Sequence, residues 1–247
     1  MTSHLSAFSE SFAAAFDLVL QADPVLMHTL RLSLFVSGTA CLMAALFGLA
    51  AGAWVATARF PGYRVLQGLL STLLALPSVV VGLVVYLLLS RSGPLGTWGI
   101  LFTPTAMVIA QTILVLPVIA ALSQQVVRDG LREGGDQLRS MGAGPFTAAG
   151  LMLVHERWAV LTIMLTAFGR AISEVGAVMI VGGNIDGVTR VITTAIALET
   201  SKGDLPLALA LGLVLLGLVG LINLTIALVQ AWQRAQSGQG GQSEYGK

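Results

Sequence analysis

Two long segments, residues 32–57 and 65–90, contain no charged side chain. Each residue of a helix advances the chain ~1.5 Å, so ~20 mostly apolar residues cross the hydrocarbon core of a bilayer. Three further stretches reach that length, at about 104–123, 158–183 and 205–233, and only the fourth in chain order carries charges, Arg170 and Glu174. Open strands cannot replace these helices, because every backbone N–H and C=O in lipid must be paired within the segment or in a closed barrel. The expected fold is an all-α membrane protein with about five transmembrane helices. Composition agrees. Hydrophobic residues make up 55% of the 247 and charged residues 10%, against the ~25% that coats a soluble domain. The apolar content excludes a largely disordered chain. The single cysteine, Cys41, excludes a disulfide-stapled scaffold, and a net charge of +1 without a basic cluster argues against nucleic acid as a partner.

Residues 1–28 read as an N-terminal periplasmic or interfacial segment. They lack the basic start of a cleavable signal, and Asp17 interrupts their short apolar run. Residues 29–234 form the membrane domain. Residues 235–247, rich in Gly and Ser, read as a disordered cytoplasmic tail. Short loops on one side would carry Arg59, Arg64, Arg128, Arg132, Arg139, Arg157, Arg234 and Lys247; the other side would carry Arg31, Arg91, Arg190 and Lys202. The richer side is cytoplasmic by the positive-inside rule. That predicts a multi-pass protein of the cell (inner) membrane, with its N-terminus outside and its C-terminus in the cytoplasm.

The longest cytoplasmic connection, 124–157, is polar. Its centre, Asp136-Gln-Leu-Arg-Ser-Met-Gly142-Ala-Gly-Pro145, reads as a short helix, a sharp turn at Gly142 and a second helix from Pro145. Glycine supplies the positive φ of a helix stop, and proline suits a first helical turn. Two short helices joined this way make a knob facing the cytosol. This loop resembles the EAA signature of importer permeases of the ATP-binding cassette class: Glu-Ala-Ala, three residues, Gly, nine residues, then Ile-x-Leu-Pro. Gly142 takes the glycine position and Asp136 the glutamate position, with Gln137-Leu138 in place of the alanines. Met152-Leu153-Val154-His155 follows at the apolar positions, with His155 where the proline belongs.

The fourth segment extends the resemblance. Gly169-Arg170-Ala171-Ile172-Ser173-Glu174-Val175-Gly176-Ala177, followed by Gly183-Asn184-Ile185, is similar to the oxyanion branch of those permeases. Leu76-Pro77-Ser78-Val79-Val80-Val81-Gly82-Leu83, Leu89-Ser90-Arg91-Ser92-Gly93-Pro94-Leu95-Gly96 and Leu198-Glu199-Thr200-Ser201-Lys202-Gly203 resemble the tungstate-permease group within it. The resemblance implies a transmembrane permease subunit of an ATP-driven importer for tungstate or molybdate. It implies a second copy of the chain, a cytoplasmic ATPase holding ATP and Mg, and an extracytoplasmic solute-binding protein as partners. Asp136, Met141, Gly142, Ala143 and Pro145 would couple to the ATPase. Alternatives are a same-class permease for sulfate, phosphate or another small solute, or an ion-coupled transporter or intramembrane enzyme.

Arg170 and Glu174 stand four apart, so they are expected on one helical face. They are expected either to pair and fix packing or, with Ser173 and Gly176, to line the translocation path. Gly48 and Gly52 mark a close helix approach. No phosphate-binding Gly-x-x-x-x-Gly-Lys-Ser/Thr run occurs, so the chain is read as a non-enzymatic subunit without a cofactor of its own. His4, His28 and His155 are too scattered to suggest a metal site.

Overall fold

A computed structural model describes residues 13, 16–17, 20–21, 24–58 and 63–240. The ordered elements are α1 (Pro24–Thr57), α2 (Tyr63–Leu74), α3 (Ser78–Leu89), a 3-10 turn (Gly96–Trp98), α4 (Pro104–Ser140), α5 (Pro145–His155), α6 (Arg157–Ile172), α7 (Gly176–Gly182), α8 (Ile192–Lys202) and α9 (Leu205–Gly240). No strand occurs among the described residues. The expected all-α membrane fold is what the chain adopts. The proposed interfacial segment at 1–28 lies largely outside the described residues, as does the tail beyond 240. Residues 235–240, read as disordered, continue α9.

By length and composition, three helices among the described residues can cross a membrane alone: α1, α4 and α9 over Leu205–Trp232. Two bent pairs raise the number to as many as five: α2 (from Val65) with α3, bent by 95°, and α5 with α6, bent by 76°. The span expected over 65–90 is thus built of two helices. Pro77 is the cause, because it has no N–H to donate and disfavours helical backbone at the residue before it; it stands as the N-cap of α3 with φ −66° and ψ 121°. Pro117, in contrast, sits inside the continuous α4. The helix expected over 104–123 continues to Ser140. The first arm of the expected knob is therefore the extension of a long apolar helix rather than a separate short one. The helix expected over 158–183 stops at Ile172 and resumes at Gly176.

The chain divides into two compact units, Met1–Leu42 with Leu76–Leu114 and Arg170–Val219, and Met43–Ala75 with Val115–Gly169 and Gly220–Lys247. In the first, Val36, Val81, Val85, Ala106, Met107, Ala110, Ala177, Val178 and Val181 share one core. Small residues let the backbones approach. A Cβ on Gly82 would fall 2.8 Å from the Ala177 Cα, and one on Gly182 would fall 2.9 Å from the Met107 Sδ. Lipid is as apolar as leucine, so such packing is held by close contact rather than by escape from water. A second cluster joins Leu26, Ile192, Ala195, Ala210 and Leu211. The Ser33 hydroxyl accepts the Ile192 N–H at 2.8 Å and so fastens the start of α8 to α1.

In the second unit, Gly48 and Gly52 of α1 meet α4. A Cβ at Gly48 would lie 3.0 Å from Ile119, and one at Gly52 would collide with the Ser123 hydroxyl and the Ala120 carbonyl. The close approach read from the glycine spacing is present. Ala53, Val127, Ala149 and Met152 bring α5 against α1 and α4, and Gly130 leaves room for the Met152 sulfur. Trp158 and Trp232 meet edge to face, with ring centroids 4.7 Å apart.

Candidate functional site

The second unit carries the turn at Gly142. As α4 ends, its last carbonyls need partners. The turn supplies them: the Gly142 N–H donates to the Arg139 carbonyl at 2.9 Å and the Ala143 N–H to the Leu138 carbonyl at 3.0 Å. Gly142 has φ +84°, a conformation costing a residue with a Cβ ~1–2 kcal/mol. Gly144 is the N-cap of α5, and Pro145 occupies its first turn. The glycine stop and proline start stand where the sequence places them.

The turn is braced from within by Leu138 and Leu153 against the Ala149–Met152 cluster. Its outside is unusual. Met141 is 76% exposed and Phe146 67%. They flank the end of α4, whose last turns carry several charges. Asp136, almost fully exposed, pairs with Arg139 at 3.1 Å, and Asp129 pairs with Arg132 at 3.3 Å. Exposed pairs of this kind contribute only ~0–1 kcal/mol. Met141, Gly142 and Ala143 lie in the turn itself, Asp136 on the end of α4 before it and Pro145 at the start of α5 after it, and Phe146, not singled out in the sequence, adds an exposed aromatic side chain next to Pro145. Two large apolar side chains exposed this close together on a polar turn are free to meet another surface. His155 ends α5, and the backbone bends at Glu156 before α6.

The first unit carries the interruption between α6 and α7. Arg170 and Glu174 do not form an ion pair among the described residues. The reason is the break: Arg170 lies in the last turn of α6, whereas Glu174 lies beyond its end. One Glu174 carboxylate oxygen accepts the Ala177 N–H at 3.3 Å, at the start of α7. Each charge therefore sits at the helix end that favours it, a cation near a C-terminus and an anion near an N-terminus. Arg170 is exposed on the isolated chain and Glu174 half-buried.

A break in a helix frees backbone carbonyls. Two side chains from distant parts of the chain take them up. Gln111, 3% exposed, donates from Nε2 to the Ala171 carbonyl at 2.9 Å. Thr193 donates its hydroxyl to the Glu174 carbonyl at 2.7 Å. Neither residue stood out in the sequence. Gly176 sits at a close approach, where a Cβ would fall 2.8 Å from Val79 and 2.9 Å from the Ser78 hydroxyl. Of the four residues expected to act together here, Glu174 and Gly176 serve the start of α7, and Ser173 and Arg170 are exposed. Beyond the break, the Thr189 hydroxyl donates to the Gly182 carbonyl at 2.6 Å and accepts the Ile185 N–H at 2.9 Å. It anchors the loop in which Asn184 takes φ +51°. Among the described residues, no three His, Cys, Asp or Glu side chains gather in a possible metal site.

No protein-family model matches the chain. Individual relatives do. A tungstate uptake system permease protein of Peptoclostridium acidaminophilum is 45% identical over 223 residues, covering 90% of this chain and 97% of the relative. A probable anion ABC transporter permease protein of Haloferax volcanii is 45% identical over 204 residues, covering 80% and 88%. A tungstate uptake system permease protein of Campylobacter jejuni is 35% identical over 214 residues, covering 87% and 90%.

Proposed function

Since the chain belongs to the permease family of ATP-binding cassette oxyanion importers, we propose that it is the membrane subunit through which tungstate enters the cell, driven by a separate ATPase. The observation that carries this reading is 45% identity, over nearly the full length of both chains, to a tungstate uptake permease. The exposed apolar turn at Gly142 supports it, because a subunit without its own nucleotide site needs a surface on which an engine can push.

The turn, with Asp136, Met141, Ala143, Pro145 and Phe146, docks on the cytoplasmic ATPase, which holds ATP and Mg. Two copies of the chain form the path. Closure of the ATPase pair draws the two turns together and tilts the helices from inward-facing to outward-facing. The continuity of α4 from Pro104 through Ser140 favours such transmission, since one helix joins the turn to the membrane-spanning part of the chain. An extracytoplasmic binding protein delivers the anion, with the side bearing Arg190 and Lys202 turned outward. Arg170 faces the path and lowers the barrier for a dianion in a low-dielectric surrounding. Tight recognition belongs to the binding protein, because a path must release what it carries.

The test is uptake of labelled tungstate in a deletion strain complemented with this chain, against labelled molybdate and sulfate. The reading predicts ATP-dependent tungstate uptake that Gly142→Val abolishes while the chain still reaches the membrane. Uptake of sulfate in preference to tungstate would overturn the substrate. Tungstate uptake without any ATPase subunit would overturn the mechanism.

A further inference from the structure

A cleft of about 410 Å³ opens in the second unit between α2 and α4, within the ~300–1,000 Å³ typical of small-molecule sites. Neither the coupling turn nor the helix break uses it. Its lining is graded along both helices. On α4 it runs from Ala121 and Leu122 through Gln124 and Gln125 to Arg128 and Arg132; on α2 it runs from Leu74 and Leu70 back to Gln67. One end of each wall is apolar and the other polar.

The charges are unbalanced. Asp129 is engaged by Arg132. Arg128 is half-buried and has no carboxylate within ion-pair distance among the described residues. Three charged side chains therefore leave the cleft with a surplus positive charge. Its depth follows from the sequence of α4, which is free of charge from Pro104 through Val127, long enough to cross a ~30 Å hydrocarbon core. Arg128 is the first charge beyond that stretch, so it stands at headgroup level.

We propose that this cleft seats an anionic phospholipid, its phosphate held by Arg128 and Arg132 with amide donors from Gln125, and its acyl chains lying against Leu70, Leu74 and Leu122. The shared chemistry, a phosphate-like tetrahedral oxyanion, also exists free in solution. The apolar wall decides between the sources: a free oxyanion gains nothing from three leucines, whereas a lipid carries chains that cover them. Basic pockets between membrane helices at the bilayer surface recognise headgroups in this way.

The test is lipid retention by the full chain in complex with its ATPase. The complex is reconstituted in vesicles of phosphatidylcholine with phosphatidylglycerol, extracted gently and weighed by native mass spectrometry. The expected result is a retained phosphatidylglycerol, whose affinity falls about fivefold in Arg128→Gln and by a similar factor in Arg132→Gln. Arg128→Lys, which keeps the charge, retains the lipid and guards against misfolding as the cause. Arg157→Gln, outside the cleft, leaves retention unchanged. Undiminished retention in Arg128→Gln, or equal loss in Arg157→Gln, overturns the proposal. So does a parallel arm in pure phosphatidylcholine if sodium tungstate or inorganic phosphate binds through Arg128 and phosphatidylglycerol does not displace it. Retention is measured without transport, so a complex that fails to import tungstate but keeps its Arg128-dependent lipid refutes the assigned substrate and leaves this inference standing.

Discussion

The turn at Gly142 and the break at residues 173–175 interrupt helices in opposite ways. The turn closes its own hydrogen bonds, residue by residue, within a stretch from Gln137 to Ala143. It leaves Met141 and Phe146 outside. The break relies on help from elsewhere: Gln111 and Thr193 reach in from other elements to the carbonyls it frees. A self-contained turn can be pushed as a body without unravelling. A break tied to two other elements is held in place by its surroundings and shifts only with them. This difference suits the first to the proposed reception of force and the second to holding the α7 segment in place.

The largest expected effect tests the exposed side of the turn. Phe146→Asp places a charge where an apolar contact is proposed. Copurification of the ATPase should fall about thirtyfold or more, the scale of a ~2 kcal/mol hot spot, while the thermal stability of the chain alone stays within error. A matching loss of stability would mean that Phe146 belongs to the chain's own packing. Next, Gly82→Ala presses a methyl against backbone at Ala177. It should cost ~1–3 kcal/mol of stability, measured by denaturation in detergent, because backbone cannot swing aside as a side chain can. Thr193→Val removes one of the two donors at the break and should cost ~1 kcal/mol, with hydrogen exchange rising at α7 before it rises elsewhere. The smallest effect is the most discriminating. A double-mutant cycle of Arg170→Gln and Glu174→Gln should give a coupling below ~0.5 kcal/mol in stability, as for independent sites. A coupling of several times that size would restore the ion pair the geometry lacks.

The two regions also differ in how far they could be read in advance. The turn was legible because its determinants are local: Gly142 for positive φ, Pro145 for a helix start, and polar residues on either side. Long charge-free segments likewise announced membrane helices. The break was not legible. No proline or paired glycines mark residues 173–175, and Arg170 with Glu174 four residues later imitates one face of a continuous helix. What stabilises the interruption comes from Gln111 and Thr193, 60 and 19 positions away from the carbonyls they serve, and no local pattern records such a distance. The bend at Pro77 lies between these cases. The proline was visible as a place where a helix can bend, yet its surroundings are equally apolar on both sides, so the size of the bend was not. Ser140 shows the reverse. The charges from Arg128 onward suggested that the third helix had ended, whereas only its lipid-compatible part had.

The claim on which the account rests is that the Gly142 turn receives force from an ATPase on the cytoplasmic face. Cross-linking tests it most directly. A Met141→Cys chain, with the buried Cys41 replaced by serine, is treated in native membranes with a short thiol-to-amine cross-linker in the presence of the ATPase subunit. The account predicts a cross-link to the ATPase whose yield changes when ATP is added, and none from Val188→Cys. Labelling of the Met141→Cys thiol by a membrane-impermeant maleimide from outside intact cells, with no ATPase adduct, would contradict it.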